Sequence, residues 1–117
     1  MMVREAAVPR PIKKNEYTIV FASKQAQKGW IDVAATKRNA LADAWDFLTR
    51  TPHASSPTCH QLKFELATVE RAGQVHDRWQ YELAGGARIW FYVTKEEPAA
   101  GVVHILDVHT HHPNETK

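Results

Sequence analysis

Arg78-Trp79-Gln80-Tyr81-Glu82-Leu83-Ala84-Gly85-Gly86-Ala87-Arg88-Ile89-Trp90-Phe91-Tyr92-Val93 alternates on both sides of a glycine pair. Trp79, Tyr81 and Leu83 share one parity, with Arg78, Gln80 and Glu82 on the other. Past the glycines, Ile89, Phe91 and Val93 alternate with Arg88, Trp90 and Tyr92. Side chains on a strand point to opposite faces in turn, so a period of two marks two strands. Aromatic and β-branched residues suit a pleated, half-buried surface. Gly85-Gly86 supplies the backbone freedom of a tight connection. The predicted unit is an antiparallel hairpin with one apolar face.

Downstream of the hairpin, Pro98–Gly101 predicts a turn and Val102–Val108 a last strand, apolar on both sides. Upstream, Leu62, Phe64 and Leu66 alternate with Lys63, Glu65 and Ala67, which predicts another strand before a turn at Gly73. Pro52–His60 reads as a polar loop. Ala26, Trp30, Val33 and Ala34, then Leu41, Ala44, Trp45 and Leu48, recur at helical spacing. Ser23 is placed to cap the first helix, Lys37-Arg38-Asn39 to form the corner, and Thr51-Pro52 to end the second. Glu16–Ala22, with Tyr17, Ile19 and Phe21 on one parity, predicts the first strand. Residues 1–15 carry Pro9, Pro11 and Lys13-Lys14 without periodicity and are expected to form a flexible arm. The order predicts an α+β domain over residues 16–117: an N-terminal strand, a helical hairpin, then a twisted antiparallel sheet of three to four strands. The helices are expected to cover one sheet face and leave the other partly open.

At 117 residues and 44% hydrophobic content, the chain fits one domain with one core. No apolar run is long enough for a bilayer span, and residues 1–14 lack the apolar core of a signal peptide. The single cysteine, Cys59, excludes an internal disulfide and points to a reducing cytoplasm. Cys59-His60 is read as a buried thiol beside an incidental histidine rather than a metal pair. The formal charge is only +2, but Lys13-Lys14, Lys24, Lys28 and Lys37-Arg38 make the first third basic. That balance permits nucleic-acid binding without demanding it.

If the apolar parities face the helices, the open face carries Lys63, Glu65, Arg78, Gln80, Glu82, Arg88, Trp90 and Tyr92. In the last strand Val103 and Ile105 are expected to share a side with Asp107, His109 and His111. Cations hold phosphates and exposed aromatic rings stack on bases, so such a face suits RNA. The alternative is a solvated face whose aromatics pack under the arm or a partner. Three of the seven histidines, His109, His111 and His112, gather where the last strand leaves the fold. Histidine is suited to proton transfer near neutral pH. A solvated tail and a His109/His111 metal pair are the competing readings.

Three segments in this order resemble the RelE/ParE superfamily of type II toxins, nearest to its RelE-like and HigB-like ribosome-dependent mRNA endonucleases. They are Arg78-Trp79-Gln80-Tyr81-Glu82-Leu83, Gly85-Gly86-Ala87-Arg88-Ile89-Trp90-Phe91-Tyr92, and His109-Thr110-His111-His112; the matching region runs from Tyr17 to about His112. The resemblance implies a strand, a helical hairpin and a twisted antiparallel sheet. It implies endoribonuclease activity without a cofactor, mRNA on the ribosome as substrate, and a cognate antitoxin as partner. Its strand arginine falls on Arg88 and its terminal acid/base on His111 or His112, with His109 as a third choice. Its glutamate base falls on Glu65 or Glu82. Lys63, Arg78 and His109 would help hold RNA, with Trp90 and Tyr92 stacking on bases. Members with a lysine pair before the hairpin differ from this chain, which has Gln80 and Glu82 there. ParE-like relatives are understood to inhibit DNA gyrase instead, and a non-catalytic antitoxin-binding domain is the third expectation.

Overall fold

Ser23 ends strand β1 (Thr18–Phe21) and starts helix α1 (Lys24–Thr36), its hydroxyl oxygen accepting the Ala26 N–H at 3.0 Å. The computed structural model describes residues 5–95 and 100–111. Lys37 is the corner, and helix α2 (Arg38–Arg50) ends at Thr51, before Pro52, as the sequence predicts. The strands that follow are β2 (Cys59–Gln61), β3 (Thr68–Arg71), β4 (Gln74–Asp77), β5 (Trp79–Glu82), β6 (Arg88–Thr94) and β7 (Val102–His109).

Five strands form one mixed sheet in the order β1-β7-β6-β5-β2, and β3-β4 pair as a separate two-stranded sheet. β1 runs parallel to β7, and the other pairs are antiparallel. The helical hairpin is therefore part of the connection that a parallel pair requires. This is an α+β architecture with a larger sheet than the three to four strands expected, and one pair is parallel. Ala26, Val33, Leu41, Ala44 and Leu48 from the helices pack on Ile89, Phe91, Val103, Ile105 and Val108. Each large side chain buried there contributes about 2–3 kcal/mol.

Two sequence expectations fail between Pro52 and Asp77. The strand over 62–66 is instead a 3-10 turn, Phe64–Leu66, and the paired strand lies earlier, at Cys59–Gln61. Phe64 does not face the helices: it is 93% exposed, while Leu62 and Leu66 pack beneath the turn. Lys63 and Glu65 accordingly leave the sheet surface and flank an exposed turn.

The helix-free face is also less open than expected. The β3-β4 hairpin lies over part of it, and Leu62, Trp90, Tyr92 and Leu106 form a second buried cluster with Ala22, Leu66 and Val69. Arg71 Nη2 donates to the Ala22 carbonyl at 3.1 Å and ties the hairpin across. Tyr92 is sandwiched between His76 of β4 and its strand neighbour His104, with ring centroids 4.5 and 4.4 Å away. Trp90 and Tyr92 are 5% and 6% exposed, so the premise of exposed stacking rings is corrected. The rings face away from the helices, as the alternation requires, but a third layer covers them.

The arm is pinned rather than loose at Arg10. Its Nη1 and Nη2 donate to the two carboxylate oxygens of Glu16, each at 3.0 Å, and its guanidinium lies 5.3 Å from the Trp45 ring centre. The Arg10 hydrogen bonds, followed by the Lys13 N–H, hold the Glu16 carboxyl below its ordinary value. A carboxyl lowered by folding stabilises the folded state above its unfolded pKa, and that contribution is lost as pH falls through the folded value. Glu16→Gln is expected to release the arm at neutral pH, while the wild type releases it only in acid. Faster trypsin cleavage after Lys13 or Lys14 measures this; equal cleavage rates at neutral pH would contradict it.

Candidate active site

A bulge in β7 builds the site. Trp90 of β6 pairs with Asp107, but Phe91 pairs with Ile105, so Leu106 is the extra residue. The shift lets Val103, Ile105 and Val108 all enter the core under the helices. In a regular strand Asp107 would take the core position, and burying a carboxylate among apolar side chains is costly. The bulge therefore turns Asp107 and His109 onto the helix-free face. This corrects the expectation that they share a side with Val103 and Ile105. The adjacent apolar pair Ile105-Leu106, where apolar parity changes from odd to even, is the sequence signal for it.

Because of that shift, Glu82, Arg88 and His109 are direct neighbours across β5, β6 and β7. Arg88 Nη2 lies 3.1 Å from Glu82 Oε1, and Nη1 donates to the Ala87 carbonyl at 3.3 Å. Arg88 is only 6% exposed, and its Nε has no hydrogen-bond partner among the described residues. Glu82 is open to solvent, its side chain 37% exposed. The His109 ring meets the Trp90 ring edge-on, with centroids 4.5 Å apart. Trp90 is fixed in turn by its indole N–H, which donates to Gln80 Oε1 at 2.9 Å. The Arg78 guanidinium lies 5.6 Å from the Trp90 ring centre.

The row thus combines a guanidinium, an imidazole and a carboxylate on one face, at the end of the sheet next to the β5-β6 turn. Gly85 in that turn has φ +80°, and a Cβ there would lie 2.8 Å from Lys37 Cε. The guanidinium can hold an anion, the imidazole can carry a proton, and Trp90 restricts how the imidazole turns.

The other expected site residues are distributed differently. Arg78 joins the row indirectly, through Trp90. Lys63 and Glu65 sit in the exposed 3-10 turn. Tyr92 lies farther along β6, within its histidine sandwich. His111 stands in an exposed bend after β7, and His112 lies outside the described residues. Sequence reasoning missed Gln80 as the partner of Trp90, and His76 and His104 as the partners of Tyr92. His104 was detectable as a polar residue inside an apolar strand; His76 carried no such signal.

Cys59 is buried on the helix side of β2, its thiol donating to the Pro52 carbonyl at 3.8 Å, and burial pushes its pKa up to about 11. Such a thiol is a poor nucleophile and a poor metal ligand at neutral pH. Among the described residues, no three His, Cys, Asp or Glu side chains are grouped to hold a metal ion, and no helix is long and apolar enough to cross a membrane. A surface hollow of about 480 Å³ lies on the helix side of the β5-β6 turn, between Thr36–Ala40 and Ala84-Gly85. It brings Lys37 and Arg38 near the turn and is lined by no histidine or carboxylate. Comparison of the chain with protein-family models, with curated proteins and with solved structures gives no match.

Proposed function

We propose that this chain is the toxin of a type II toxin–antitoxin pair and cleaves mRNA on the ribosome. The observation that carries this reading is the Glu82–Arg88–His109 row on the sheet face opposite the helices. The order of strand, helical hairpin and sheet is in keeping with the RelE/ParE resemblance.

RNA cleavage needs a base for the 2′-hydroxyl, a cation for the charge on the pentavalent phosphorus, and an acid for the leaving 5′-oxygen. Arg88 supplies the positive charge for the phosphate, its Nη2 beside the solvent-exposed Glu82 carboxylate. His109 carries the proton, held edge-on by Trp90. Glu82 or His111 serves as the second proton carrier. The 2′-oxygen bonds to phosphorus as the 5′-oxygen leaves, giving a cyclic phosphate and a free 5′-hydroxyl. A DNA strand has no 2′-hydroxyl and remains intact. The cognate antitoxin would bind over this face and shut the site.

His109→Asn keeps the size of the side chain and removes its acid–base range. It is expected to slow cleavage of ribosome-bound mRNA at least about a hundredfold. Cleavage at the wild-type rate by both this variant and His111→Asn would reject the reading. The burial of Arg88 and its pairing with Glu82 favour a second reading, a module that binds an antitoxin without cutting RNA. Induced expression separates the cases: translation arrest supports the nuclease, DNA damage a ParE-like action on gyrase, and normal growth the binding module.

A further inference from the structure

We propose that Phe64, held out by the Lys63–Ala67 turn, is a base-stacking subsite for single-stranded RNA, with Lys63 beside it for the phosphate. This extends the nuclease reading to the binding of the strand beyond the cut.

Phe64 has φ +56°, in the left-handed region that a bulky L-residue rarely adopts. The surrounding bonds enforce it. The Leu66 N–H donates to the Lys63 carbonyl and the Ala67 N–H to the Phe64 carbonyl, both at 3.1 Å. Gln61 Nε2 donates to the Ala67 carbonyl at 2.9 Å. Leu62 and Leu66 anchor the turn in the second apolar cluster. The largest apolar side chain of the turn is nevertheless the one left in water. Strain of this kind, held in place by its surroundings, gathers at functional positions.

The turn's place in the fold identifies its ligand. The Leu62 N–H donates to the Arg78 carbonyl at 2.9 Å, and the Arg78 N–H donates to the Ala67 carbonyl at 2.8 Å. Arg78 then covers Trp90, and Trp90 touches His109. The turn and the Glu82–Arg88–His109 row therefore flank β5, separated along the strand by about 13 Å from Arg78 to Glu82. That is the reach of a short strand rather than of one nucleotide. A cation and an exposed ring at its far end match the recipe for sequence-tolerant binding of single strands.

The test is equilibrium binding of a short 2′-O-methyl oligouridylate, which cannot be cut through its 2′-oxygen. Phe64→Ala is expected to weaken binding about tenfold. Phe64→Trp should retain it, and Phe64→Leu, apolar but not aromatic, should behave like alanine. The exposed position leaves folding intact, and thermal melting checks this. Absence of oligonucleotide binding by the wild type, or wild-type binding by Phe64→Ala, would overturn the subsite; so would full binding by Phe64→Leu, which has no ring to stack on a base. The two readings fail separately. Loss of binding in Phe64→Ala, with ribosome-bound mRNA left uncut by the wild type, leaves the subsite and removes the nuclease assignment. The reverse pattern leaves the nuclease and removes the subsite.

Discussion

Arg88→Ala is expected to lower mRNA cleavage by about a hundredfold or more, the usual cost of removing one preorganised charge from a phosphoryl site. The effect on stability should be smaller and separable. Breaking a buried ion pair is expensive because it strands the remaining charge. Here the remaining charge is Glu82, which reaches solvent, so the loss should be about 1–2 kcal/mol rather than the full buried-pair figure. Adding Glu82→Gln to Arg88→Ala should recover part of the stability and none of the activity. Arg88→Lys keeps the charge but loses the planar fork, and should fall between the two. Urea unfolding alongside cleavage assays measures both effects. An Arg88→Ala protein that folds and cuts mRNA at the wild-type rate would remove Arg88 from the mechanism.

The second large effect lies outside the site. Gly29 faces β7 so closely that a Cβ would lie 2.3 Å from the Val108 carbonyl oxygen and 2.8 Å from Val108 Cβ. Glycine to alanine inside a helix normally stabilises by about 1 kcal/mol. Here α1 or β7 must move, and the expected result is a loss of about 3 kcal/mol, as for severe overpacking. For a domain of this size that lowers Tm by about 10 °C. Val108 directly precedes His109, so activity should fall in the folded fraction as well. Calorimetry decides: a Gly29→Ala protein that melts at or above the wild-type temperature would contradict the close contact.

Much of this fold was legible in the sequence because its signals are local. The Ser23 cap, the Lys37 corner and the stop at Thr51 each depend on a few adjacent residues and bound the helical hairpin. β5 and β6 follow from strict alternation. The segment from Leu62 to Leu66 alternates equally well, yet Phe64 points into water. Leu62 and Leu66 gain burial in a cluster under the hairpin, and the turn hydrogen bonds compensate for the lost ladder. A period of two records which residues share a face; it does not record whether a sheet neighbour is there to pair.

Chain order and alternation alone require that Arg88 and Ile89 oppose one another, that Glu82 and Arg88 flank one hairpin, and that histidines end the last strand. Backbone geometry fixes those relations at short range. That His109 joins Arg88 came from long-range packing, since it required a bulge driven by the need to keep Asp107 out of the core. Long-range packing also placed Trp90 and Tyr92 under β3-β4 and left Phe64 uncovered. Coverage is a property of segments distant in sequence, and no local period carries it.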